Sequence, residues 1–285
     1  MLLHSELTVG MEIEAIAFES NYNAIKNILK GNKTETNEWS YAITGDCSIA
    51  IDPDIDDLSE FEICNPDGSV TYDREQIVPF EIDTGYFSYT PENQLKFRRL
   101  LINLYKSGII TNSTCSLHVH FKPKFLNMRT NEAKIYSVML LAYIVESKLY
   151  EKYLKFQNQD MTNTAWSSVD YMIDEYNFYK NAKSLYSKYE YRNRGLFHVH
   201  EQGTLEWRGN RKVFDCNPII FCNNHSSQYE QSIVKHSKFM FSFLNDMFNA
   251  MNGKVDLDKK DSLYWKLYDN KNLMYSKLLR KKENV

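Results

Sequence analysis

The sequence predicts an α+β fold in which an antiparallel sheet carries helices on one of its sides. Three observations carry this expectation. Residues 1–125 hold most of the alternating apolar and polar stretches, separated by turn chemistry, and helical periodicity dominates after residue 130. No repeat and no low-complexity linker divides the chain, so residues 1–285 read as one continuous domain.

Leu7 to Glu19 reads as a strand, with Ile13 and Ala15 on one face and Glu12 and Glu14 together on the other. A short helix is expected over Asn21 to Leu29. Turn signals follow at Thr44-Gly45-Asp46, Asn65-Pro66-Asp67-Gly68 and Asp83-Thr84-Gly85. Between the first two lies Leu58 to Pro66, a strand placing Glu60 and Glu62 opposite Phe61 and Ile63. Thr90 as N-cap, Pro91 in the first turn, apolar Leu95, Leu101 and Leu104, and Gly108 beyond the end mark a helix over Pro91 to Ser107.

Cys115 to Phe121 is the next strand, with His118 and His120 facing away from Leu117, Val119 and Phe121. A long helix is expected from Thr130 to Phe156, presenting Ile135, Tyr136, Met139, Leu140, Tyr143 and Ile144 as one apolar stripe. Asp160 to Tyr189 reads as helical pieces with loop between them. Leu196 to His200 and Thr204 to Gly209 form a hairpin closed at Glu201-Gln202-Gly203, with Leu205 and Trp207 on one face and Thr204, Glu206 and Arg208 on the other. Pro218 to Asn249 and Asp261 to Arg280 read as helical.

Composition narrows the function classes. A formal charge of −3 gives no general attraction to nucleic acid, leaving room only for a local basic groove. The basic tail from Lys277 to Val285 reads as a solvated helix end. Cys47, Cys64, Cys115, Cys216 and Cys222 are odd in number and lack a C-x-x-C pair, which fits reduced thiols and a cytoplasmic setting. The N-terminus has no leader pattern, and the longest apolar run, Val138 to Val145, is too short to span a bilayer, so no membrane partner is expected. Abundant Tyr, Asn and Lys point to an AT-rich genome, bacterial or viral; for a viral chain the cytoplasm would be the host's.

Four strands thus turn carboxylates or imidazoles to one side while their other sides are apolar. Such a face is either solvated or a cation site. Glu12, Glu14, Glu62, His118 and Glu206 form an oxygen-dominated set with one imidazole, which suits magnesium or manganese. Arg208 beside Glu206 offers a guanidinium fork fitted to phosphate oxygens, or an ordinary cross-strand ion pair.

The ordered motifs G-M-E-I-E (Gly10 to Glu14), D-C-S (Asp46 to Ser48) followed by E-I-C-N-P (Glu62 to Pro66), C-S-L-H-V-H (Cys115 to His120) and T-L-E-W-R (Thr204 to Arg208) resemble the amidoligase family. This is a branch of the glutamine synthetase-like carboxylate-amine ligases that also resembles the glutamate-cysteine ligases. The likeness spans residues 1–211; the helical part, 212–285, carries no matching motif. It implies a curved antiparallel sheet of the glutamine synthetase catalytic-domain type, with helices on its convex side and ATP, magnesium and an acceptor carboxylate on its concave face.

By position in those motifs, Glu12, His118 and Glu206 would bind the ion on the ATP phosphates, and Glu14 and Glu62 the ion near the second substrate. Arg208 would contact the transferring phosphoryl group, Arg192, Arg194 and Arg211 would add phosphate contacts, and His120 would lie beside the nucleotide. The chain departs from the family at Ser116, where Gly is usual, and at Asn65, where Ser or Thr is usual, so the substrate side is expected to differ.

The chemistry is coherent without the resemblance. A carboxylate becomes an acyl donor once ATP phosphorylates it, and an amine then attacks the acyl phosphate. Asp46 or Glu60 could bind the ammonium group and take its proton. No G-x-x-x-x-G-K-[ST] loop occurs, so ATP use would not run through that cradle. The partners expected are a carboxylate and an amine, each a small molecule or a peptide or protein side chain; a homo-oligomer is compatible with the sequence. Two rivals stand beside this reading: a zinc hydrolase built on His118, His120, His198 and His200, and a catalytically degenerate binding protein of the same fold.

Overall fold

The structure is a computed structural model, and it describes residues 2–31, 39–46, 49, 63–64, 70–71, 77–109, 111, 115–124, 126, 131–156, 169–182, 196–199, 204–211 and 226–269. The fold is α+β. Its strands are β1 (Leu7–Phe18), β2 (Ala42–Gly45), β3 (Ile63–Cys64), β4 (Val70–Thr71), β5 (Ile77–Ser88), β6 (Ser116–Pro123), β7 (Phe197–Val199) and β8 (Leu205–Arg211). The helices are α1 (Glu19–Gly31), α2 (Pro91–Lys106), α3 (Asn131–Glu146), α4 (Leu149–Phe156), α5 (Val169–Asn181) and α6 (Ser226–Met251). Residues 263–269 add a further helical turn pair. Hydrogen bonding orders the main strands β2-β5-β1-β6-β8-β7, and β3 pairs with β4. The pairs β1–β5, β2–β5 and β7–β8 are antiparallel.

The chain forms two compact units, each assembled from separate segments. The first comprises Thr8–Val119 and Asn210–Ser242; the second comprises Met1–Leu7, His120–Gly209 and Phe243–Val285.

In the first unit β1 runs nearly its whole length beside β5. Asp83-Thr84-Gly85, expected as a turn, is instead a β-bulge inside β5. Gly10 pairs with Tyr86 and Glu12 with Asp83, so Thr84 and Gly85 together oppose Met11 alone. Gly85 takes φ +64, and a Cβ there would lie 2.7 Å from the Ser40 amide nitrogen. The Thr84 hydroxyl accepts from the Met11 amide at 2.9 Å and donates to the Gly85 carbonyl at 3.0 Å, which satisfies polar groups the interrupted ladder leaves over. Bulge and turn share the same residue chemistry, a glycine at positive φ after short polar side chains. Local sequence therefore did not distinguish them.

The core of this unit forms where α2 buries Phe97, Leu100, Leu101 and Leu104. Thr90 caps α2 as expected, its hydroxyl accepting from the Asn93 amide at 3.3 Å. Trp39 stacks on Phe87 at 4.0 Å, and Phe97 meets Phe241 edge-on at 5.9 Å.

In the second unit the expected helix from Thr130 to Phe156 is two helices. Lys148 adopts φ 54 between α3 and α4, and its amide bonds to the Val145 carbonyl three residues back, which breaks the i→i−4 ladder there; the Ser147 hydroxyl bonds back to the Tyr143 carbonyl. Residues 135–142 are all buried, so α3 is covered on every side and shows no single stripe. It packs against α4, α5 and β7. Its last residue, Glu146, accepts from Tyr176 Oη at 2.9 Å, Ser262 Oγ at 2.6 Å and the Leu263 amide at 2.8 Å, so it caps the helix at 263–269. Phe243 is the aromatic hub, 4.5 Å from Trp207, 5.2 Å from Tyr153 and 6.2 Å from Phe121.

Candidate functional site

The first unit contains an acidic and imidazole cluster built on β1, β2, β5 and the start of β6. Side-chain alternation puts Glu12 and Glu14 on one face of β1, as expected, with Ile13 and Ala15 fully buried behind them. Antiparallel pairing then sets Glu14 directly opposite Glu81 and Glu12 opposite Asp83. The bulge makes this possible. Gly10 pairs with Tyr86 upstream of it, and if that register ran on, Thr84 and Ile82 would stand opposite Glu12 and Glu14 where Asp83 and Glu81 now do. Gly10 is needed because the Tyr86 ring lies over it, 3.1 Å from where a Cβ would stand.

Oxygen atoms of Glu14, Asp46 and Glu81 all lie within 4.8 Å of one another. Like charges this close oppose ionisation. The Glu81 carboxyl is pushed up to about 7, first by burial and then by Glu12, with Asp46 and Glu14 adding to the rise and His118 opposing it. His118 lies between the carboxylates of β1: Nδ1 is 3.2 Å from Glu12 Oε2, and Nε2 is 3.6 Å from Glu14 Oε1. Ser116 joins them, with its amide and hydroxyl both donating to Glu14 Oε2 at 2.8 and 2.6 Å and its Oγ 2.7 Å from His118 Nε2.

Three carboxylates with mutually close oxygens form a hard donor set, which fits magnesium or manganese better than zinc. Glu14 and His118 are each 8 % exposed, so this polar face is not the open, solvated one that a lone E-x-E usually marks.

The second unit holds a different arrangement on β6 and β8. Glu206 is fully buried, and it accepts from Arg208 Nε at 2.6 Å and from Nη2 at 3.5 Å. His120 lies close by, its Nε2 3.9 Å from Glu206 Oε1 and its Nδ1 3.0 Å from Thr204 Oγ1. Glu206, Arg208 and Thr204 share one face of β8, as alternation predicts, while Leu205 and Trp207 are buried on the other. Among the described residues nothing accepts from Arg208 Nη1, so part of the guanidinium fork is available to an oxyanion.

Of the expected site residues, Glu12, Glu14, His118 and Asp46 come together in the first unit, and His120, Glu206 and Arg208 in the second. Glu60, Glu62, Asn65, His200, Arg192 and Arg194 lie outside the described residues, as do the side chains of His198 and Arg211. Asp46, expected to act on the amine, belongs with Glu14 and Glu81 as a carboxylate of the cluster. Glu81 was not anticipated. Its signal was present in Phe80-Glu81-Ile82-Asp83, the same apolar and acidic alternation that marks β1, but the neighbouring turn motif obscured it.

Among the described residues no helix is long and apolar enough to cross a membrane, and Cys115 is buried. Compared with protein-family models, curated proteins and solved structures, the chain matches none of them. What fold and site define is therefore a class: an α+β protein with a partly buried carboxylate cluster of the kind that suits a hard cation.

Proposed function

We propose that the protein is an ATP- and magnesium-dependent carboxylate-amine ligase, with a sheet of the curved glutamine synthetase type. The observation that supports it best is the convergence of Glu14, Asp46 and Glu81 within 4.8 Å, flanked by Glu12 and His118. A face used only for folding gains nothing from carboxylates opposed across a strand pair and drawn from solvent.

Glu14, Asp46 and Glu81 would hold the cation, magnesium or manganese. When bound it would supply positive charge to phosphoryl oxygens during transfer. The chain's own groups have distinct tasks. Glu12 and His118 fix one another, Ser116 orients Glu14, and Arg208, braced by Glu206, would offer the rest of its guanidinium fork to phosphoryl oxygens. The substrate carboxylate takes the γ-phosphoryl group from ATP, releasing ADP. The amine then attacks the acyl carbon, and inorganic phosphate leaves as the amide forms.

The zinc hydrolase reading draws less support. Both ring nitrogens of His118 already face Ser116 or Glu12, and the cluster of Glu14, Asp46 and Glu81 offers oxygens alone. Incubation of the purified protein with ATP, magnesium and pooled carboxylates, with hydroxylamine to trap an acyl phosphate, tests the ligase. Phosphate release and hydroxamate that require both metal and acid are expected. Absence of both across the pool, with folded protein, would overturn the assignment.

A further inference from the structure

We infer that Ser116 is a positioning residue that sets the Glu14 carboxylate for cation binding, an inference that rests on reading the first unit's cluster as a cation site. Ser116 opens β6 beside β1, and its backbone and side chain converge on the same oxygen: amide and hydroxyl both donate to Glu14 Oε2, at 2.8 and 2.6 Å. Two donors on one oxygen fix the rotation of the carboxyl group. The second oxygen, Oε1, lies 3.6 Å from His118 Nε2, beyond hydrogen-bond range.

The same Ser116 hydroxyl oxygen lies 2.7 Å from His118 Nε2, and His118 Nδ1 lies 3.2 Å from Glu12 Oε2. Ser116 thus occupies the ring nitrogen nearer Glu14, which makes no hydrogen bond to the Glu14 carboxylate itself. A small hydroxyl residue is required here. Alanine and glycine keep the amide donor but lose both Oγ contacts, whereas threonine keeps them.

Hydrogen-bond partners behind a metal ligand commonly change affinity by about 10–100-fold when removed. The test is a Mn²⁺ titration of the full chain, without nucleotide, followed by electron paramagnetic resonance. Ser116→Ala and Ser116→Gly are each expected to weaken Mn²⁺ binding about tenfold or more, and Ser116→Thr to restore it to within about threefold. Thermal melts without metal identify variants that fold; either of the two truncations suffices.

Wild-type affinity in a folded Ser116→Ala or Ser116→Gly protein would overturn the positioning role, as would a threonine variant as weak as alanine. So would a wild-type protein that binds no Mn²⁺. The ligase assignment is judged separately by hydroxamate formation. A chain that binds Mn²⁺ through a Ser116-dependent Glu14 but traps no acyl phosphate would keep this inference and lose that one.

Discussion

Glu14 and Glu81 stand directly opposite one another on β1 and β5, two carboxylates in register on neighbouring antiparallel strands. Like charges in this relation destabilise a sheet unless a counter-charge or a proton relieves them. Much of what the first unit is expected to do follows from that pair.

The first expectation concerns pH. Glu81 has its carboxyl raised from 4.5 to about 7, chiefly by burial and by Glu12. A group whose folded pKa is raised holds a proton in the fold that it gives up on unfolding. Its stabilising contribution is complete below 4.5 and is lost as pH rises through about 7. Metal-free protein should therefore lose melting temperature across that window, and Glu81→Gln should flatten the loss. A profile identical in wild type and variant would refute the assignment to Glu81.

Cation binding should reverse the sign. Binding to Glu14, Asp46 and Glu81 displaces the proton, so Mn²⁺ should raise the melting temperature more at about pH 8 than at about pH 5.5. In Glu81→Gln the metal-induced shift should shrink at both. Calorimetric scans at matched metal concentration read this directly.

The bulge in β5 should be intolerant of change. Gly85→Ala puts a side chain at φ +64 and against Ser40, and is expected to cost about 2–4 kcal/mol. Thr84→Val leaves the buried Met11 amide without its hydroxyl acceptor, at about 1–3 kcal/mol. Urea unfolding measures both. Mn²⁺ affinity should fall with the first, because the offset that brings Glu81 to Glu14 depends on the bulge.

In the second unit, Glu206→Gln should abolish ATP turnover by weakening the brace on Arg208, whereas a binding protein would keep its partner affinity. Arg208→Lys tests the fork itself. Lysine keeps the charge but not the paired donors, so a loss of turnover of about tenfold or more is expected, with the melting temperature little changed. Phosphate release under saturating ATP is the measurement.

Glu146 supplies a control that belongs to neither cluster. Glu146→Ala removes acceptor bonds from Tyr176, Ser262 and the Leu263 amide, and should destabilise the fold by about 2–4 kcal/mol. Mn²⁺ affinity of the folded fraction should not move.

By itself the sequence determined the α+β class, the alternation that sends Glu12 and Glu14 to one face of β1, the shared face of Glu206 and Arg208 on β8, and the Thr90 cap of α2. These depend on periods of two and 3.6 residues and on contacts within a few positions, which are written locally. Tertiary structure alone decided that Asp83-Thr84-Gly85 bends a strand rather than ending it, that α3 stops at Glu146, and that Glu81 and Asp46 join Glu14. It also decided that Glu14 is buried and that Asp46 and Glu81 are partly so. Register and burial arise from which distant segments pack together, and the same glycine and carboxylate patterns serve an open turn or a solvated edge equally well until that packing is fixed.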